Sequence, residues 1–176
     1  MIVNELLTNG YIRIPALVHS ATHGLEESLL SARPAGSANS IAWLAWHIAR
    51  GQDAWVSELR GTTQEWVDGG WESRFGMAFD TDETGFEMPA AETAAVIAPA
   101  SLLTGYLAAV TVRTLEYIWG LGENDLDEIV DATRHPAITR GVQLMSILDD
   151  GLQHAGQAGY ARGILDSDND TEKAGS

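Results

Sequence analysis

Two residues in the C-terminal part of the sequence, Asp150 and His154, form a pair that could bind a metal ion. They are four positions apart, and on a helix this spacing places a carboxylate and an imidazole side by side. Both groups are ligands of divalent metals, whose bonds of about 2.0–2.2 Å require such convergence. One metal ion could bridge the pair if a neighbouring helix supplied a third ligand.

His47 is the candidate for that third ligand. It follows Leu44 by three positions on a stretch whose apolar residues recur at helical spacing, so its imidazole is expected on a buried face. A buried polar group needs a partner, and a shared ion would be one. The same spacing also fits a core histidine that is hydrogen-bonded to an acid without any metal, and this alternative stays open.

The other histidines favour structural interpretations. His19 and His23 are also four apart, but they fall in the last turns of a predicted helix beside Gly24, where imidazoles are usually solvated. His135 precedes a proline and is expected at the surface. The sequence has no cysteine, so any metal must bind to His, Asp or Glu.

Composition excludes several classes of partner. The 176 residues carry 25 acidic and 10 basic side chains, a formal net charge of −15, which repels nucleic acids and anionic membrane surfaces. The N-terminus lacks the pattern of a signal peptide, and no window reaches the ~18 apolar residues of a membrane span. We therefore predict a cytoplasmic protein without nucleic-acid or membrane partners.

The elements that must position these residues are helices. Four stretches have helical periodicity, no stretch alternates like a strand, and turn-forming residues separate them. We predict an all-α four-helix bundle over residues 1–165, followed by a disordered acidic tail at 166–176. The helices are expected from about Val3 to His23, from a cap at Asn39 or Ser40 to Arg60, from Pro99 to Gly120, and from a cap at Thr139 to Leu165.

Residues 61–98 connect the second and third predicted helices without a regular pattern. A connection this long is usually functional or partly disordered, and we predict that its first half forms a lid or wall over a ligand. Aromatic rings in such loops often cover ligand sites, although most tryptophans on the helices are expected to be packing residues. The predicted substrate pocket comprises Trp43 and Gln157 from the helices and Trp66 and Trp71 from the connection.

Two helical segments resemble a known family. They are SIAWLAWHIARGQD at residues 40–53 and QHAGQ at residues 153–157, and they are similar to motifs of the DinB-like superfamily. The resemblance extends more loosely over residues 3–165. It includes WESRF at residues 71–75, which looks like a branch found in mycothiol-using bacteria.

The resemblance implies a four-helix bundle that binds zinc or nickel at positions matching His47, Asp150 and His154. The N-terminal domain of mycothiol-dependent maleylpyruvate isomerase has a Glu where this sequence has Asp150, whereas many other members use three histidines. The superfamily includes enzymes that transfer low-molecular-weight thiols, among them bacillithiol and mycothiol.

We therefore predict a metal-dependent thiol S-transferase, with mycothiol as a cosubstrate and a small electrophile as the second substrate. An open coordination position would bind the thiol as its thiolate. No residue is assigned a catalytic role beyond the metal ligands. The alternative is a non-catalytic metal-containing bundle that binds a small ligand or a protein partner. A homodimer is compatible with the amount of apolar helix surface.

Overall fold

The first helix of the bundle is broken near its middle. The computed structural model describes residues 2–36 and 39–174, and it begins with α1 (Val3–Tyr11) and α2 (Arg13–Thr22). The break at Ile12 lies three residues before Pro15, whose missing N–H cannot bond to the carbonyl one turn back. Gly24 follows with a φ of +74°, so the helix ends close to the predicted position.

Helix α4 (Ile41–Arg60) has a capping residue at its start and a glycine at its end. The Ser40 hydroxyl accepts the backbone N–H of Trp43 at 3.1 Å, which confirms one of the two predicted caps. Gly61 ends the helix with a φ of +65°. A short helix, α3 (Glu27–Leu30), and a 3-10 turn at Pro34–Gly36 precede it.

The connection after α4 contains more structure than the sequence predicts. Three short helices form there: α5 (Glu65–Asp68), α6 (Trp71–Phe75) and α7 (Ala90–Thr93). Trp66 and Phe75 are buried, and their rings contact Tyr106 of the next long helix. The first half of the connection is therefore part of the core.

Two long helices complete the bundle. Helix α8 (Ala100–Gly120) follows Pro99 directly, and α9 (Arg140–Ala174) follows Thr139, whose hydroxyl accepts the N–H of Val142 at 3.4 Å. Between them lie a 3-10 turn at Glu123–Asp127 and an antiparallel pair of strands, β1 (Ile129–Asp131) and β2 (Ile138–Thr139). These strands were not predicted, because two or three residues are too few to show alternation.

Helix α9 continues to Ala174, beyond the end predicted near Leu165. Arg162 pairs with Asp166 one turn later at 2.9 Å, and glycine and proline are absent between Ile164 and Ala174. The division of the chain into a bundle domain and an acidic tail at residue 166 stays a prediction. Residues 175–176 of that tail lie outside the described residues.

The long helices pack around one core. Helix α4 contacts α8 and α9, and the broken first helix contacts the same two helices. Close approach is possible because Gly10 lies against Leu148, and Gly151 lies against Ile14. The predicted all-α fold is confirmed. Among the helices of residues 2–36 and 39–174, none combines the length and apolarity needed to cross a membrane. Fully buried side chains of this core include Tyr11, Ile14, Leu30, Leu44, Trp46, Leu103, Tyr106, Leu107, Ile118 and Leu144.

Candidate metal centre

The contact between α4 and α9 brings three potential metal ligands together. His47, Asp150 and His154 each offer one ligand atom, and these atoms lie within 4.8 Å of one another. The two imidazole rings meet edge to face with their centroids 4.8 Å apart, and His154 Nε2 is 3.3 Å from Asp150 Oδ1. This group could hold a metal ion.

Each imidazole is held by a hydrogen bond at Nδ1. His47 Nδ1 lies 2.6 Å from the backbone carbonyl oxygen of Thr84, and His154 Nδ1 lies 3.0 Å from Gln157 Oε1. A carbonyl oxygen only accepts, so the Thr84 contact places the proton of His47 on Nδ1. Nε2 then keeps its lone pair, which is the arrangement that metal-ligating histidines adopt. The donor set therefore fits a metal ion.

The pKa values of the two imidazoles are shifted in opposite directions. Burial lowers the pKa of His47, although the hydrogen bond to Thr84 opposes this effect. The hydrogen bond to Asp150 raises the pKa of His154, and the same contact lowers the pKa of the Asp150 carboxyl group. A proton on His154 Nε2 thus occupies the place between His154 and Asp150 that a metal ion would take.

Comparison with known proteins places the chain in a family. The profile of the DinB superfamily matches residues 11–158. The chain belongs to the DinB superfamily. A solved crystal structure, of a conserved protein from Enterococcus faecalis, is 30% identical to it with a TM-score of 0.89, covering 95% of this chain and 99% of that one. No curated protein matches the chain.

The group in this DinB-superfamily chain is open on one side. His47 is buried, the side chain of His154 is 20% exposed, and that of Asp150 is 51% exposed. Within the described part of the chain, the cluster comprises these three residues. The side of the group at Asp150 is therefore accessible to an exogenous ligand.

The predicted pocket residues divide into two sets. Trp43 stacks on His47 with ring centroids 4.6 Å apart, and Gln157 bonds to His154, so both border the ligand group. Trp66 and Trp71 instead pack on Tyr106, at centroid distances of 5.2 and 5.5 Å. The structure does not bring these two rings to the ligands, because the hydrophobic core takes up the first half of the connection.

Sequence reasoning missed a second polar cluster on α4. The guanidinium of Arg50 and the carboxylate of Asp53 are buried, and their nearest N and O atoms are 3.9 Å apart. Asp53 accepts the backbone N–H groups of Glu65 and Trp66 and the hydroxyl of Tyr106, at 2.7–2.9 Å. The i,i+3 spacing of the two charges within the buried stretch was the available signal.

Proposed function

We propose that this chain is a metal-dependent thiol S-transferase that joins a low-molecular-weight thiol, such as mycothiol, to a small electrophile. The observation that carries the proposal is the pair of imidazoles, each with its Nδ1 atom in a hydrogen bond, whose potential ligand atoms lie within 4.8 Å of each other and of a carboxylate oxygen. Three protein ligands and one open side are typical of catalytic rather than structural metal sites.

Each residue of the group has a distinct task. His47 Nε2, His154 Nε2 and a carboxylate oxygen of Asp150 would hold zinc or nickel. When bound, a divalent ion lowers the pKa of a thiol that binds to it, so that the thiolate forms near neutral pH. Gln157 fixes the orientation of His154, and the stacked Trp43 ring limits the movement of His47.

The transfer step follows from this arrangement. The thiol loses its proton to solvent on the exposed side of Asp150. The sulfur then attacks the electrophilic carbon, a C–S bond forms, and the leaving group departs with the electron pair of the broken bond. No oxidant or reductant is required.

A cleft beside Gln157 is our candidate for the electrophile pocket, in place of Trp66 and Trp71. Its volume is about 500 Å³, and it lies between α9, the start of α4 and the 3-10 turn at Pro34–Gly36. Apolar side chains and amides line it, so the cleft suits an uncharged and partly apolar molecule. The lining residues are Pro34, Asn39, Leu44, Gln153, Gly156, Gln157, Tyr160, Ala161 and Ile164.

Metal content is the first test. Protein purified without a histidine tag is expected to contain one zinc or nickel ion per chain by elemental analysis. His154→Ala should lose that ion, because two ligands hold a divalent ion much more weakly than three. His23→Ala removes an exposed imidazole just after α2 and should keep the ion. Full metal loading in His154→Ala would overturn the proposal.

Thiol transfer is the second test. The metal-loaded protein is incubated with mycothiol, bacillithiol or glutathione and a panel of uncharged alkylating electrophiles, and conjugates are measured by mass spectrometry. Conjugate formation by wild type but not by His154→Ala supports the transferase. A bound ion with a fourth protein ligand and no turnover would favour the non-catalytic module instead.

A further inference from the structure

Residues Thr81–Met88 cross α4 beside the ligand group, and we call this segment the strap. Its Thr84 carbonyl accepts the His47 Nδ1 proton at 2.6 Å. At its far end the sulfur of Met88 accepts the indole N–H of Trp43 at 3.4 Å. The strap thus contacts both the ligand His47 and the ring stacked on it.

The strap lies too close to His47 for a side chain at Gly85. A Cβ atom there would come 2.9 Å from His47 Nδ1 and 3.1 Å from the rings of Trp43 and Trp46. Gly85 also has a φ of +89°, a conformation that other residues rarely adopt. Glycine at this position lets the backbone approach the imidazole.

Arg50 forms hydrogen bonds with two backbone carbonyls of the strap. Its Nε donates to the carbonyl oxygen of Glu83 at 3.0 Å, and its Nη2 donates to that of Thr81 at 2.8 Å. The guanidinium is fully buried and lies 4.7 Å from the ring centroid of Trp66. Because a guanidinium is planar and cannot rotate one donor independently of the others, it fixes both carbonyls in one geometry.

We propose that Arg50 is a positioning residue for the metal centre. By holding Thr81 and Glu83 it fixes the Thr84 carbonyl, which keeps the His47 proton on Nδ1 and directs Nε2 toward Asp150 and His154. The inference rests on the proposed metal site. Arg50, three residues after His47 on α4, would thus control the tautomer of a metal ligand without contacting it.

Nitrogen NMR of the metal-free protein tests this without metal or activity. In wild type, the neutral His47 imidazole should carry its proton on Nδ1. In Arg50→Lys one flexible ammonium replaces the planar group, and the His47 spectrum should show a mixture of both tautomers. Gly85→Ala should have the same effect, because its Cβ displaces the strap.

Zinc affinity, measured by competition with a chromogenic chelator, is the second readout. Arg50→Lys and Gly85→Ala should bind Zn²⁺ about 10–100-fold more weakly than wild type, the usual loss when an outer partner of a ligand is removed. Arg60→Lys is the matched control, since Arg60 lies on the same helix and donates to the carbonyl of Arg113. It should leave both readouts unchanged.

A purely structural role for Arg50 predicts different results. Tyr106→Phe weakens the same buried cluster but leaves the bonds of Arg50 to the strap, so it should lower stability without changing the His47 tautomer. A folded Arg50→Lys or Gly85→Ala with the wild-type His47 spectrum and Zn²⁺ affinity would overturn the inference. So would a wild-type His47 protonated on Nε2. If wild type binds no Zn²⁺, the proposed function fails, while the spectrum still decides the role of Arg50.

Discussion

Two polar clusters lie one turn apart on α4, and they differ in how completely the protein satisfies them. Around Arg50 and Asp53, protein donors and acceptors surround both charges, and both side chains are almost fully buried. In the ligand group the potential ligand atoms of the two imidazoles and of a half-exposed Asp150 lie within 4.8 Å of one another. The first cluster is closed and the second is open.

The difference separates a cluster that serves the fold from a group that could hold a metal ion. A buried ion pair adds little net stability, but removing one partner leaves an uncompensated charge and is costly. A partly exposed group contributes less to the free energy of folding, because solvent and salt screen its contacts. Substitutions in the two clusters should therefore separate stability from metal binding.

Asp53→Ala should have the largest effect on stability. It removes the acceptor of two backbone N–H groups and of the Tyr106 hydroxyl, and it leaves Arg50 buried without its counter-charge. We expect a loss of about 3–5 kcal/mol in the free energy of unfolding, measured with urea. Asp166→Ala, which breaks a half-exposed pair with Arg162, should cost less than about 1 kcal/mol. Equal losses of unfolding free energy in Asp53→Ala and Asp166→Ala would contradict the greater structural importance of the buried cluster.

Tyr106→Phe should destabilise the closed cluster more moderately. The hydroxyl donates to Asp53 at 2.7 Å and accepts from Arg50 at 3.2 Å, and both contacts are buried. Its loss should lower the free energy of unfolding by about 1–3 kcal/mol, while the ring contacts remain. Tyr160→Phe, at a ring that is 75% exposed, is the control and should change the urea midpoint little.

Ser40→Ala should show whether both clusters depend on α4 as a whole. The Ser40 hydroxyl caps this helix, and its removal should cost about 1 kcal/mol in thermal or urea unfolding. The Zn²⁺ affinity of the folded protein should be unchanged, because His47 lies two turns further along the helix. A parallel loss of affinity would show that the cap also orders the ligand group. Ser146→Ala, on the surface of α9, is the matched control.

Asp150→Asn should have the smallest effect on the metal-free protein. Since Asp150 is half-exposed, we expect a change below about 1 kcal/mol in the free energy of unfolding. His154 has a raised pKa, so its contribution is present at low pH and is lost as pH rises through that pKa. Asp150 has a lowered pKa, so its contribution is lost as pH falls.

The difference between wild type and Asp150→Asn should therefore be greatest between about pH 4 and pH 6.5. An NMR titration should also show a lower pKa for His154 in the variant, because the carboxylate that favours the imidazolium is gone. An unchanged His154 pKa would show that the pair does not form in solution.

The ligand group could be predicted from the sequence because helix periodicity determines which side chains share a face. Asp150 and His154 share one face of α9 by spacing alone, and His47 lies on the buried face of α4. The strap was not accessible, because its contact with His47 is made by the backbone carbonyl of Thr84, which no residue type signals. Glycine at position 85 indicates a turn but not what the turn approaches.

The positions of the loop tryptophans could not be predicted for a related reason. Periodicity says nothing about which surface an irregular segment covers, and Trp66 is buried against Tyr106 rather than at the ligands. The continuation of α9 beyond Leu165 is supported by local pairs such as Arg162 with Asp166. From composition alone, this segment was predicted to be an acidic tail. Residue spacing within a helix was enough to predict the ligand group. The positions of the loop residues depend on long-range packing, which spacing does not reveal.

Exposure rises across the ligand group, from His47 at 7% through the His154 side chain at 20% to that of Asp150 at 51%. An ion that enters the proposed site would meet the Asp150 carboxylate first and the His47 imidazole last, and its removal by a chelator would reverse that sequence. Changes at Asp150 should consequently alter how quickly ions are captured, whereas changes at the strap should alter how long they stay.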